Sequence, residues 1–127
     1  MLFRSAAADP GNARWQRDLS VSHDRLGDVA VEEGDLAAAR AAYQASLGIR
    51  ARLAAADPGN AGWQRDLSVS HNKAGDVAVA EGDLAAARAA YQASLDIAAR
   101  LAAADPANSG WQRDLAAARE RLEDLEQ

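Results

Sequence analysis

The chain of 127 residues has room for one domain, carries a net charge of −5 and contains no cysteine. These facts exclude disulfides, thiolate metal sites and thiol nucleophiles, fit a reducing compartment, and disfavour a nucleic-acid binder, which needs clustered Lys and Arg. Thirty-four alanines against three prolines and one phenylalanine favour an all-α fold.

Trp15, Trp63 and Trp111 recur at a spacing of 48, as do Pro10, Pro58 and Pro106. A fixed period of this size predicts a solenoid, in which each unit buries its apolar face against the next. Residues 6 to 53 and 54 to 101 differ at seven positions only: Arg14/Gly62, Asp24/Asn72, Arg25/Lys73, Leu26/Ala74, Glu32/Ala80, Gly48/Asp96 and Arg50/Ala98.

In chain order, Met1 to Ser5 lack the long apolar core of a leader, and no apolar run reaches membrane-spanning length. The expectation is a soluble, cytoplasmic chain with no membrane contact. Residues 1 to 8 align with the close of a second helix and predict a short helical stub, whose Leu2 and Phe3 pack on the first helix. The joint Asp-Pro-Gly-Asn then occurs at Asp9, Asp57 and, as far as its proline, at Asp105. The residue before proline disfavours helix, Gly59 frees the turn and Asn60 caps the next helix.

After the joint, Trp63, Leu67, Ser70, Ala74, Val77 and Ala78 fall in one arc at 100° per residue, predicting helix A at roughly 61 to 80. Trp63 sits in its first turn as a corner anchor rather than a stacking platform for a ligand. Gly82 suits the end of helix A and Asp83 the cap of helix B, roughly 84 to 104, whose apolar arc holds Leu84, Ala87, Ala90, Tyr91, Ser94, Leu95, Ile97, Ala98 and Leu101. The last segment, 109 to 125, begins as another helix A. Glu123 replaces the glycine that allows a helix B to approach, so it reads as a solvated terminal cap.

The run from Ala74 through Ile97 resembles a tetratricopeptide repeat. Gly75, Gly82, Asp83, Leu84, Ala87, Tyr91, Ser94, Leu95 and Ile97 match, as do Gly27, Gly34, Ala39, Tyr43, Ser46, Leu47 and Ile49 in the first unit. His23 and His71 stand where an aromatic is usual, and Ala30 and Ala78 replace a second large residue. The period is longer than the family's, as in an extended variety with lengthened helices. The resemblance implies an αα superhelix of about five helices forming one domain over 1–127. Its concave side, lined by helix A, would bind peptides or protein segments, and no catalytic residues carry over.

Ser20-Val21-Ser22-His23 and its copy Ser68 to His71 place hydroxyls near an imidazole, but adjacent residues on one helix imply no cleft for a nucleophile. One histidine per unit, without an i, i+4 ligand, gives no metal site. Asp24 and Asp28 read as a solvated carboxylate pair. The Gly-Asp pairs form no phosphate loop, because no Gly-Lys-Ser or Gly-Lys-Thr comes after them. No cofactor and no enzymatic activity are expected.

Opposite the core arc, helix A presents Arg17, Val21, Asp24, Asp28 and Glu32 in the first unit. The second presents Arg65, Val69, Asn72, Asp76 and Ala80, and the cap Arg113, Ala117, Glu120 and Asp124. Stacked, these form a basic row, Arg17-Arg65-Arg113, and an acidic row, Asp28-Asp76-Asp124, about 16 Å apart at the helical rise. Such a bipolar face suits an extended peptide, with Arg gripping carboxylates and Asp meeting Lys or Arg. The alternatives are ion pairs between units, self-association through the repeat ends, or a consensus-like engineered repeat with no evolved ligand.

Overall fold

A computed structural model describes residues 10–127. Five helices succeed one another: α1 (Pro10–Glu32), α2 (Leu36–Ala56), α3 (Ala61–Ala80), α4 (Leu84–Ala104) and α5 (Ser109–Leu125). Backbone contacts join α1 to α2 and α3 to α4 as hairpins, and α2 to α3 and α4 to α5 as the stacking between units. The fold is an all-α repeat solenoid, with α1, α3 and α5 as the A helices and α2 and α4 as the B helices.

The A-to-B turn is set by one glycine. Gly34 and Gly82 adopt φ of 78° and 80°, a left-handed conformation that glycine enters without a Cβ clash. The next residue then donates back into the helix, Asp35 to the Ala30 carbonyl and Asp83 to the Ala78 carbonyl, each at 2.9 Å. Those aspartates also cap helix B, accepting from the N–H of Ala38 and Ala86 at 3.0 Å. One Gly-Asp pair therefore both closes helix A and opens helix B.

The B-to-A joint works differently. The Asp57 carbonyl accepts from Asn60 N–H at 3.0 Å, and the Asn60 side chain accepts from Trp63 N–H at 3.0 Å. Gln64 adds a clamp that the sequence did not reveal, its amide donating to the Pro58 and Ala54 carbonyls at 3.2 and 3.4 Å. Gln112 repeats both bonds at the third joint. Gly59 does not have a positive φ, and Ala107 occupies its place in the third copy, so the turn needs no glycine freedom. At the first copy Pro10 to Asn12 are already helical, and Asp9 and the expected stub lie outside the described residues. Proline in a first helical turn loses no intrahelical bond, so this departure from the turn geometry is sterically open to it.

Two kinds of apolar cluster alternate along the stack. At the Gly-Asp ends Tyr43 packs with Ala30, Ala39 and Val77, and Tyr91 with Ala78, Ala87, Leu122 and Leu125. At the joint ends Trp63 packs against Ala13, Ile49 and Leu53, and Trp111 against Ala98, Ala102, Leu115 and Ala118. The anchor reading thus holds for two tryptophans, each pressed on the preceding helix B. Trp15, with no such helix among the described residues, is 65% exposed, and Leu26 on the same helix is 63% exposed.

Candidate functional site

Several residues expected on the open face of the A helices are paired across the stack, each with a residue that was not expected there. Arg17 donates to Asp66 at 2.7 Å, and Arg65 repeats the bond to Asp114 at 2.9 Å. In the opposite direction Lys73 meets Asp28 at 2.9 Å and Arg121 meets Asp76 at 3.5 Å. Asp28 and Asp76 also accept from the hydroxyls of Tyr43 and Tyr91, each at 2.5 Å. Each junction thus joins an arginine of one unit to an aspartate of the next, with Asp66 and Asp114, rather than Asp28 and Asp76, meeting Arg17 and Arg65.

These bonds set the local protonation. Burial and then the bond to its aspartate push the hydroxyls of Tyr43 and Tyr91 well above the usual tyrosine range. Burial pushes the Asp28 carboxyl up, but hydrogen bonds from Tyr43 and Lys73 outweigh it and leave a lowered value. The Arg17 guanidinium is raised, first by its hydrogen bond to Asp66. The exposed pairs contribute on the order of 0–1 kcal/mol each, so a partner can rearrange them at little cost.

Glu32, Arg113, Glu120 and Asp124 stand exposed, while Val21 and Val69 are half-buried. Asp24 departs from the expectation of a solvated surface pair. It is 7% exposed and bonded at 2.7 Å to Arg50, itself 5% exposed, which reaches up from α2. Arg50 also donates to the hydroxyls of Ser20 and Ser70 at 3.1 and 3.0 Å and to the Asp66 carbonyl at 3.3 Å. Its guanidinium fills the floor between α1 and α3.

The second unit keeps part of this frame with the plug removed, Ser68 standing for Ser20 and Ala118 for Ser70. Asn72 stands for Asp24 and Ala98 for Arg50, so both members of the buried pair are exchanged together for neutral residues. A pocket of about 250 Å³ opens there, lined by Ser68, Asn72, Ser94 and Ala98 beneath Arg65, Val69, Asp76 and Ala117. The Asn72 Oδ1 atom is buried without a hydrogen-bond partner. A second pocket of about 450 Å³ shares Asp76, Ala117 and Arg121 and runs on past Val79 to Glu120 and Asp124. Together they make a continuous depression between α3 and α5.

The Ser-His motif is occupied structurally. Ser20 and Ser68 donate to the carbonyls of Arg17 and Arg65 at 2.6 and 2.7 Å, bonds within a single helical turn. His71 lines a different hollow, with Arg40, Gln44 and Leu47 of α2. Burial lowers its pKa, so the folded state resists protonation that the unfolded chain accepts. Its contribution is intact above the ordinary histidine pKa and is lost as pH falls through that value toward the lower folded one. Urea titrations at neutral and mildly acidic pH should show wild type losing more stability than His71→Gln; equal losses would contradict it. Among the described residues no group of acids and histidines could hold a metal ion, and no helix is long and apolar enough to cross a membrane.

A family model described as tetratricopeptide repeat matches residues 22–52 and 69–100. Each match takes in about the second half of a helix A and the larger part of the helix B after it. No curated protein and no solved structure matches the chain.

Proposed function

The chain is a tetratricopeptide-like repeat protein, a class that generally mediates protein–protein interaction, and from that premise we propose that it is a non-enzymatic module binding an extended polypeptide segment. The segment lies on the A-helix face between α3 and α5. The observation that carries this is the pair of adjoining pockets sharing Asp76, Ala117 and Arg121, a depression longer than a small ligand requires. Its rim alternates Arg65, Asp76, Arg121 and Asp124, a pattern suited to a peptide of mixed charge.

The test selects peptides from a random display library on the immobilised chain and measures their affinity for wild type and Val69→Arg. The substitution crowds the pocket without removing an ion pair. Binding should weaken at least about tenfold, or about 1.4 kcal/mol, with the melting curve unchanged. Unchanged affinity across the selected peptides would remove the face assignment.

A second reading, self-association through the repeat ends, is favoured by the exposed Trp15 and Leu26. Sedimentation over a concentration series distinguishes it, since a chain that remains monomeric at high concentration does not stack.

A further inference from the structure

The two units are an internal comparison in which one floor is filled and the other is open. In the first, Arg50 supplies a planar array of N–H donors to Asp24, Ser20, Ser70 and the Asp66 carbonyl. In the second, Ala98 supplies no donor, and Asn72 Oδ1 is buried without a partner, as is the equivalent Asp24 Oδ1 beside Arg50, whose bond goes to Asp24 Oδ2. A buried acceptor with no partner carries a desolvation cost of about 1–3 kcal/mol, which a ligand donor removes on binding.

Resting on the peptide-binding reading of this face, we propose that the pocket receives an uncharged carboxamide, the side chain of a glutamine or asparagine in the partner segment. The geometry calls for a planar donor group, since Ser68 and Asp114 keep the places that Ser20 and Asp66 hold around Arg50, while Asn72 stands for Asp24 and Ala118 for Ser70. The charge calls for a neutral one. A guanidinium would be buried without the carboxylate that Asp24 provides, since Asp76 and Asp114 in the lining are paired with Arg121 and Arg65, and a carboxylate would bring no donor to the Asn72 oxygen. The basic side chains above the pocket already have carboxylate partners, Arg65 in Asp114, Lys73 in Asp28 and Arg121 in Asp76. A carboxamide offers both N–H and C=O, so it pairs with the Asn72 amide edge to edge whichever way that amide is turned.

The experiment titrates the full ¹⁵N-labelled chain with N-acetylglutamine N-methylamide, and in parallel with the corresponding arginine and glutamate derivatives. The expected result is a saturable shift of the Asn72 side-chain amide and of the Ser94 and Ala98 backbone with glutamine alone. Asn72→Asp restores the counter-charge and should reverse the preference, arginine then binding about tenfold tighter than glutamine. The double change Asn72→Asp/Ala98→Arg rebuilds the first unit's pair, keeps the fold and should abolish the response to all three probes. No saturable shift at Asn72 in wild type, or an equal response to arginine or glutamate, overturns the proposal. Library peptides that lose affinity with Val69→Arg but bind the Asn72→Asp/Ala98→Arg chain as tightly as wild type would leave the face assignment standing and remove the pocket's ligand.

Discussion

Replacing Gly75 with alanine destabilises the chain by about 2–3 kcal/mol, although alanine ordinarily stabilises a helix interior over glycine by about 1 kcal/mol. A Cβ at Gly75 would fall onto the Tyr91 ring, and one at Gly27 onto Tyr43, well inside van der Waals contact. Neither ring can swing aside, because each is buried in a cluster and its hydroxyl is bonded to an aspartate on the glycine's own helix. The helices of the hairpin must therefore separate, which strips contacts from the whole Gly-Asp end. Gly48→Ala is the control, since a Cβ there meets only Arg52 Nη1, at 3.7 Å. That variant should gain up to about 1 kcal/mol. Urea unfolding of both reads the contrast directly, and a Gly75→Ala chain as stable as wild type would refute the close approach as the reason for glycine.

Arg50→Ala should lose about 3–5 kcal/mol, because it leaves the Asp24 carboxylate buried without its counter-charge. Asp24→Asn should lose several kcal/mol for the converse reason. The double variant Asp24→Asn/Arg50→Ala reproduces the second unit's own pair, Asn72 and Ala98, and should recover most of the loss, to within about 1–3 kcal/mol of wild type, the cost of the unpaired amide acceptor. The cycle therefore predicts a coupling of at least about 2 kcal/mol between two residues in different helices. Additive losses would mean that the ion pair does not act as a unit and that the exchange of both partners in the second unit carries no structural logic.

The five helices, and their ends apart from the start of α1, were legible because each depends on local signals. Period-3.6 apolar arcs gave α3 and α4, the 48-residue repeat gave α5, and Asn60 and Asp83 cap where short acceptor side chains precede an apolar run. The Tyr43 and Tyr91 contacts were half legible, since the matching glycines signalled a close approach without naming the ring. Gly59 was expected to free the turn, but it has no positive φ, and the bonds from Asn60 and Gln64 close the joint without glycine's freedom.

Arg50 was not legible, because an arginine in an alanine-rich helix B looks solvated and its partners come from α1 and α3. The signal available was the paired exchange of Asp24 and Arg50 between units, two of only seven differences. Asp66 and Asp114 were likewise missed as partners of Arg17 and Arg65, since a helical wheel of one unit cannot show which residue of the next unit lies opposite. The repeated Trp-Gln-Arg-Asp stretch thus divides into a corner anchor, a joint clamp and an inter-unit ion pair.

The proposed function puts the partner on the A-helix face of the second unit and leaves the repeated joint a structural role. Chemical-shift mapping of a library-selected peptide on the ¹⁵N-labelled chain separates the two surfaces. The largest shifts should cluster at Asn72, Asp76, Ser94, Ala117 and Arg121, with the joint residues Asp57 to Asn60 little changed. Shifts concentrated instead on the joint, on the exposed Trp15 and Leu26 of α1, or on the outer side of α2 and α4 would contradict it.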